Sequence, residues 1–138
     1  MAKRKEPYIT IPISFFSNLK IKMMIAKLGK TAVMDYLLIL TKHIEFEEYD
    51  FMIPDEMIPF IAQESGTEET ELRRTIAYCL REGFFTGTTK ADGTEFFYNE
   101  DQRLNLLNWK EIRKMRSEIG KRGNEIRWNK GGENTNED

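Results

Sequence analysis

Residues 54–98 decide the fold, and they read PDEMIPFIAQESGTEETELRRTIAYCLREGFFTGTTKADGTEFFY. Apolar residues recur there at three- and four-residue steps, first over residues 55–64 and then over residues 67–82. Ser65 and Gly66 supply a turn between the two segments, and the second segment opens on a threonine, a favourable N-cap. The pattern therefore predicts two helices that are joined by a tight turn.

The second half of the same stretch predicts a β-hairpin. Gly83 ends the second helix, and the β-prone residues 84–88 and 94–98 flank a turn at residues 91–93. Residues 49–53 are also β-prone, and we expect them to add a third strand because a lone hairpin is marginally stable. The predicted fold class is mainly α with a small β-wing: a winged helix-turn-helix that is followed by a basic C-terminal helix.

The second helix of the pair has two distinct faces at helical spacing. The spacing predicts an inner stripe that is buried against a neighbouring helix and consists of Leu72, Ile76, Cys79 and Leu80. The opposite stripe consists of Thr70, Arg74, Ala77 and Arg81, with Tyr78 beside it. The second helix of a helix-turn-helix can enter the major groove of DNA, so this opposite stripe is a candidate DNA-reading surface.

The segments before this stretch predict an extended arm and two helices. Ile9, Ile11 and Ile13 alternate with other residues, which favours an extended entry segment. Residues 19–28 have helical spacing and end at a glycine. Residues 31–47 are apolar over more than half of the helix circumference, which is typical of a central helix.

The net charge of −2 conceals a strong segregation of charge along the chain. Residues 45–71 contain ten acidic side chains and no Lys or Arg, whereas residues 103–130 contain nine basic and three acidic side chains. A basic tail after an acidic domain is common in nucleic-acid-binding proteins. The alternative interpretation is a solvated helix that is stabilised by Glu–Lys pairs.

The chain length of 138 residues predicts one domain with a tail. We expect the winged-helix domain with its N-terminal arm over residues 1–98 and a basic helical extension over residues 99–128. Gly120 and Gly123 are expected to weaken the last helix. Residues 129–138 contain too few apolar side chains to fold and are predicted to be disordered.

Enzymatic chemistry is not expected, because the necessary residue types are missing. The chain has one histidine, His43, and one cysteine, Cys79, so zinc ligation fails on count. Both residues lie on apolar helix faces and are predicted to be structural. No phosphate-loop or calcium-loop spacing is complete, so we expect no cofactor and no metal.

Localisation follows from what the chain does not contain. No run of about 18 apolar residues is present, so no membrane partner is expected. The basic N-terminus is not followed by an apolar segment of the kind found in signal peptides. With a single cysteine, no disulfide can form within the chain, and a cytoplasmic protein is expected.

Several segments resemble one known family in their order along the chain. Tyr8-Ile9 through Phe15-Phe16 and then Leu19-Lys20-Ile21 are similar to the start of the N-terminal winged-helix domain of phage replisome-organiser proteins. The same holds for the short helix that ends at residues 28–30, for the long apolar helix over residues 33–44 and for the aromatic segment 49–51. Residues 115–128, MRSEIGKRGNEIRW, resemble the basic tails of such proteins. The resemblance covers about residues 7–128.

The resemblance implies a role in DNA-replication initiation on phages or mobile elements, and a relation to DnaD-like primosomal proteins. It implies DNA, duplex or single-stranded, and replication proteins such as a helicase or its loader as partners, and it brings no catalytic residues. The chain ends soon after the basic segment, where longer relatives carry a second domain. The acidic residues before the second helix are a further departure from the pattern.

Two functional hypotheses follow from the sequence. In the first, the protein binds DNA through Arg73, Arg74, Tyr78, Arg81, Lys90, Lys110, Arg113, Lys114, Arg116, Lys121, Arg122 and Arg127. Arginine can read guanine bidentately, and lysines add attraction that does not depend on sequence. In the second, the domain is a protein-interaction module without direct DNA binding, and it forms a homo-oligomer through the arm and the long helix or binds a basic partner.

Overall fold

A computed structural model describes residues 6–133, with side chains described as far as residue 121. The chain divides into two compact units, Met1–Leu106 and Leu107–Asp138. The boundary lies within the last helix rather than before it, because Gln102 and Leu106 are buried in the first unit. That unit therefore keeps eight residues more than the predicted domain over residues 1–98.

The described residues form five α-helices and a small antiparallel sheet. The helices are α1 (Leu19–Leu28), α2 (Lys30–Lys42), α3 (Ile58–Ser65), α4 (Glu69–Glu82) and α5 (Glu100–Glu133). The strands are β1 (Ile53–Pro54), β2 (Thr86–Thr89) and β3 (Glu95–Tyr98), and 3-10 helices cover Ile13–Ser17, His43–Tyr49 and Asp55–Met57. The fold is mainly α, and its order of elements is consistent with a winged-helix-like arrangement.

Helix α1 has the predicted bounds because local signals set both of its ends. The Asn18 side chain accepts hydrogen bonds from the backbone N–H groups of Lys20, at 2.9 Å, and Ile21, at 3.2 Å. These bonds satisfy two donors that a helix start leaves open. At the other end Gly29 has a φ of 93°, a conformation that favours glycine.

The helix predicted over residues 31–47 ends earlier, at Lys42, and gives way to the 3-10 helix His43–Tyr49. Phe46 leaves helical geometry within that segment, and Asp50 and Phe51 adopt positive φ values of 55° and 65°. Phe46 and Phe51 are both buried. We attribute the tightened backbone to the burial of these two rings, which a continued α-helix would direct to different sides.

The helix pair has the predicted order with different N-termini. A 3-10 turn over Asp55–Met57 precedes α3, and Pro59 occupies the first turn of α3, where proline is tolerated. The predicted N-cap at Thr67 is wrong, because Glu68 occupies that position and its side chain makes no capping bond. Gly66 ends α3 with a φ of 72°.

The predicted hairpin is confirmed, and so is its pairing with a third strand. Strand β3 lies between β1 and β2, with Ile53 opposite Phe97 and Thr86 opposite Tyr98. The third strand is shorter than residues 49–53, because residues 49–51 belong to the 3-10 helix and its turn and the strand begins only at Ile53. Phe96 and Phe97 are both buried, which anchors the central strand.

The inner stripe of α4 is confirmed at Leu72, Ile76 and Cys79, which are buried. It is wrong at Leu80, which is 39% exposed and lies against Gly87. Tyr78, which the spacing placed beside the opposite stripe, is buried instead of Leu80. Helix α4 contacts α1, α2 and α3, so its buried arc is wider than one stripe and includes the side that faces α1.

Cys79 is a core residue. Its side chain is fully buried, and burial raises the pKa of the thiol to about 12. A thiol with such a pKa is protonated at neutral pH, and the thiolate is the reactive form. The position is consistent with the predicted structural role.

His43 links α2 to Asn99, and Asn99 extends the link to the residue that follows the end of α4 and to the start of α5. Its Nε2 accepts a hydrogen bond from the Asn99 N–H at 2.9 Å, and its Nδ1 lies 2.8 Å from the Ile39 carbonyl oxygen. An accepting Nε2 carries no proton, so Nδ1 carries it and donates to Ile39. The Asn99 side chain in turn donates to the Phe84 carbonyl at 2.9 Å and accepts from the Gln102 N–H at 2.8 Å.

The burial of α4 predicts a contrast between two leucines of the same helix. Leu72→Ala should lower the free energy of unfolding by about 2–5 kcal/mol, because a buried leucine leaves a cavity. Leu80→Ala should cost clearly less, since its side chain is partly in solvent. Urea unfolding of the two variants and the wild type measures both. Equal losses in the two variants would contradict the assigned faces.

The His43 environment predicts a pH dependence of stability. Burial lowers the pKa of the imidazole from 6.5 to about 4. Between these pH values the unfolded chain binds a proton that the folded protein does not, so stability falls as the pH is lowered through this window. The full effect is roughly 3 kcal/mol. Above pH 6.5 the imidazole is neutral in both states and contributes no slope.

Urea unfolding of wild type and His43→Gln between about pH 7 and pH 4 tests this dependence. Glutamine does not titrate, so the difference between the two stability curves isolates the imidazole from the carboxylates that titrate in the same range. We expect the wild type to lose its advantage as the pH falls. Two parallel curves would show that His43 titrates normally in the folded protein.

Candidate nucleic-acid interface

Beyond its first turn, the exposed surface of α4 contains three arginines and two small or apolar side chains. It consists of Arg73, Arg74, Ala77, Leu80 and Arg81, and the exposed residues of the first turn are Glu69 and Thr70. The opposite side of the helix carries the buried residues, so the fold fixes which way the arginines face. The structure therefore brings Arg73, Arg74 and Arg81 together on one surface, as the sequence predicts.

The three arginines differ in how strongly they are engaged. Arg73 Nε donates to Glu69 at 2.8 Å, one helical turn away. The Arg81 guanidinium lies 5.3 Å from the centre of the Tyr78 ring, and its Nε is 3.7 Å from a Glu82 oxygen. Arg74 makes no hydrogen bond or ion pair within the described residues. It is the arginine that requires the least rearrangement to contact a ligand.

Tyr78 is not part of this surface, contrary to the prediction. It is buried, and its hydroxyl donates to the Lys20 carbonyl oxygen at 3.0 Å, which links α4 to α1. The face of its ring instead contacts the Arg81 guanidinium. A cation over a tyrosine ring is held by the ring quadrupole, so Tyr78 positions Arg81 without contacting a ligand itself.

Negative charge surrounds the start of α4. Glu68, Glu69 and Glu71 lie there, and acidic residues at a helix N-terminus complement its dipole. Beneath them Asp35 is buried on α2, 3.4 Å from the Thr75 hydroxyl. Burial raises the pKa of the Asp35 carboxyl, and Glu71 adds to the effect. Phosphate is therefore repelled from the first turn of α4, and the C-terminal half is the more favourable side.

The wing tip is also poor in positive charge. Lys90, the predicted wing-tip contact, folds back with its Nζ 5.2 Å from the centre of the Phe96 ring. Beside the hairpin turn, a shallow cavity of about 360 Å³ is lined by residues that include Asp55, Glu56, Asp92 and Glu95. Four carboxylates at this place oppose phosphate binding, so a single lysine at the tip is a weak contact.

Helix α5 carries the strongest concentration of positive charge in the second unit. At about 100° per residue, Lys110, Arg113, Lys114 and Lys121 fall within an arc of about 100°. The Arg113 guanidinium lies 4.4 Å from the centre of the Trp109 ring. We call these four residues the basic face. Lys114 and Lys121 are exposed, and Lys110 is half-buried. Lysine side chains and a stacked arginine are suited to phosphate contact.

One described tail residue of the prediction does not belong to the basic face. Arg116 is exposed and lies roughly 120° from Lys110 around the helix axis, by the 100° rule. Arg122 and Arg127 lie outside the residues whose side chains are described. Helix α5 continues through Gly120 and Gly123 to Glu133. The predicted disorder is therefore wrong for residues 129–133, which belong to α5. An established helix adds residues more easily than a new helix starts. Residues 134–138 of the predicted tail lie outside the described range.

A groove of about 720 Å³ in the first unit is lined in part by the arm and the long helix, the two elements that the second hypothesis assigned to protein interaction. Its apolar side includes Tyr36, Leu37 and Phe84, and Glu100 and Asp101 line the same groove. Burial raises the pKa of the Tyr36 phenol to about 12, so the hydroxyl is a neutral donor. The arm that lines the groove exposes Tyr8, Ile13 and Phe16. Exposed aromatic and aliphatic residues in the arm were the sequence signal for this surface.

The part of the chain with assigned positions contains no membrane-crossing helix and no metal-binding cluster. None of its helices combines the necessary length with sufficient apolar character. Nor do three or more His, Cys, Asp or Glu side chains there come close enough together to hold a metal ion. The candidate binding features among the described residues are charged and aromatic surfaces.

Comparison of the chain with protein-family models, with curated proteins and with solved structures finds no match. The inferences below therefore depend on the surfaces of the protein and on the resemblance of the segments quoted above.

The burial of Tyr78 predicts a separation of stability from binding. Tyr78→Phe removes the hydrogen bond to Lys20 and should lower the free energy of unfolding by about 0.5–1.5 kcal/mol. The phenylalanine ring still supports Arg81, so affinity for DNA should not change. Thermal unfolding and a DNA titration below the melting temperature measure both quantities. A loss of affinity without a loss of stability would place Tyr78 in the binding surface.

Proposed function

We propose that this protein binds DNA, and that the basic face of α5 supplies most of the affinity. The observation that carries the proposal is the arc of Lys110, Arg113, Lys114 and Lys121 on one helix side. Each side chain that neutralises a phosphate releases a condensed counterion, and this release is a favourable, sequence-independent contribution. A helix with such a face can follow a phosphate backbone on duplex or single-stranded DNA.

The exposed arginines of α4 are proposed as the sequence-reading groups. Arg74 has no partner to give up within the described residues, and Arg81 is already oriented by Tyr78. A bidentate contact from arginine to guanine contributes about 1–3 kcal/mol of discrimination. The glutamates at the start of α4 favour an approach in which the C-terminal half of the helix lies nearest the DNA.

The proposed biological role is DNA-replication initiation for a phage or mobile element, as a replisome organiser. Support comes from the order of the segments that resemble the replisome-organiser family, together with a fold that is consistent with a winged-helix-like arrangement. A helicase or a helicase loader is the proposed protein partner. The role would place DNA binding and partner binding on different surfaces of the same chain.

A second candidate function is a winged-helix module that binds proteins and not DNA. The observation that favours it is the groove with Tyr36, Leu37 and Phe84 on its apolar side and with Glu100 and Asp101 along its edge. A basic peptide with an apolar anchor would match both features. The carboxylates beside the wing add to the negative surface of the first unit.

A salt titration tests the DNA-binding proposal. If about four to six phosphates are neutralised, log K should fall against log salt with a slope of roughly −4 to −5 on duplex DNA. The triple variant Lys110→Gln, Lys114→Gln and Lys121→Gln should reduce the size of this slope by about 3. A matched control with the same charge change replaces the exposed lysines of α1 and α2, Lys22, Lys27 and Lys30, by glutamine.

The base-reading proposal is tested on the same DNA by Arg74→Ala. It should lower the affinity for a preferred sequence about 5- to 100-fold and leave the salt slope nearly unchanged. Absence of salt-dependent binding to both duplex and single-stranded DNA would overturn the DNA-binding proposal in favour of the protein-interaction module. Equal effects of the α5 variant and the lysine control would show that net charge, and not the basic face, drives binding.

A further inference from the structure

Helix α5 has a narrow stripe of apolar side chains that are exposed. Ile112 is 41% exposed, Met115 is 56% exposed and Ile119 is 62% exposed. The three residues are separated by steps of three and four, so they lie within an arc of about 60°. Large apolar side chains that are exposed in a row, and not singly, commonly mark an interaction surface.

The stripe lies opposite the basic face. By the 100° rule, its centre is about 180° from the centre of the arc that Lys110, Arg113, Lys114 and Lys121 span. A helix that uses its basic face for phosphate therefore leaves the stripe uncovered. A helix that is isolated in water is marginally stable, and in proteins most helical stability comes from packing an apolar face against a neighbour. A partner is therefore needed for this side of α5.

The spacing of the stripe is that of a heptad seam. Ile112 and Ile119 take the a positions and Met115 takes the d position between them. In the sequence the next a position is Ile126, whose side chain lies outside the described residues. The d position between Ile119 and Ile126 is Arg122, so the apolar seam covers only the two turns from Ile112 to Ile119, which suits a short two-stranded coiled coil.

The residues beside the seam define the partner. The g positions are Glu111, Glu118 and Glu125, and the e position between the first two is Arg116. In the described part of the chain, Glu111 and Arg116 form no ion pair. In a parallel two-stranded coil a g residue meets the e residue five positions later on the partner helix, which pairs Glu111 with Arg116 on both sides. The seam is thus complementary to its own copy.

The same residues select the orientation of the helices. In an antiparallel pair the g positions of the two helices face each other, so glutamate would meet glutamate. A bilayer is a poor occupant because the glutamates beside the stripe would approach an anionic surface. A parallel copy pairs Glu111 with Arg116 on both sides of the seam, whereas Glu118 would meet position 123, a glycine in the sequence, and gains no charged partner.

We propose that Ile112, Met115 and Ile119 form the seam of a parallel homodimer, with Glu111 and Arg116 paired across it. The basic faces of the two helices then point outward on both sides of the coil. The dimer depends on the apolar stripe and not on DNA, so it does not rest on the proposed function. The short seam gives a weak dimer that forms at micromolar concentrations or above.

Sedimentation equilibrium of the full chain tests the proposal without DNA. The mass should rise with concentration from the monomer value of 16.3 kDa toward twice that value. Ile112→Ser with Ile119→Ser should raise the dissociation constant at least about tenfold. The control Lys114→Ser with Lys121→Ser makes a similar change on the basic face, outside the seam, and should leave dimerisation intact.

Charge reversal tests the partner and its orientation. Glu111→Arg and Arg116→Glu should each weaken the dimer, and the two together should restore it.

Three outcomes would overturn the proposal. One is a monomer at all concentrations, and another is a dimer that the seam variants do not affect. The third is binding of the monomer to anionic vesicles through Ile112 and Ile119, which would assign the stripe to a lipid surface.

Discussion

The first unit depends on the two hydrogen bonds of a buried, neutral histidine. His43 has no access to solvent, so both ring nitrogens must find partners within the protein. It finds them in the Ile39 carbonyl of its own segment and in the backbone N–H of Asn99, far along the chain. Because Nε2 can accept only while it is unprotonated, the arrangement requires the uncharged imidazole. The residue therefore couples the fold to its protonation state.

Asn99 extends this interaction to the elements that carry the candidate site. Its side chain holds the Phe84 carbonyl just after α4 and also caps the start of α5 through the Gln102 N–H. Phe84 and Phe85 pack on the Tyr36 ring of α2. The end of α4, the entry to the wing and the first turn of α5 are thus fixed at one place. These contacts together fix the position of α4, and hence of its arginines, relative to the wing.

Local signals in the sequence were sufficient where one residue determines a boundary. Asn18 and Gly29 set the ends of α1, and Gly83 ends α4. Spacing alone was not sufficient on α4, because that helix meets three neighbours and not one. Tyr78 is buried because the Lys20 carbonyl of α1 is within reach of its hydroxyl, and Leu80 remains partly exposed because its neighbour on the wing is a glycine. Both outcomes depend on tertiary contacts.

The candidate site was predictable as a set of charges but not as a geometry. The sequence indicated that positive charge concentrates after Leu106, and the helical wheel of α5 assigns four of those residues to one face. It gave no sign that Glu69 engages Arg73 or that Lys90 folds onto Phe96, because each contact depends on side-chain rotamers. The histidine partner of Asn99 was equally hidden, since 56 residues separate them.

NMR of the His43 ring tests the central interaction most directly. In ¹⁵N-labelled protein at about pH 5.5, we expect a neutral imidazole with its proton on Nδ1, and an Asn99 amide that is protected from hydrogen exchange. An imidazolium that titrates near pH 6.5, together with rapid exchange of the Asn99 amide, would contradict the account.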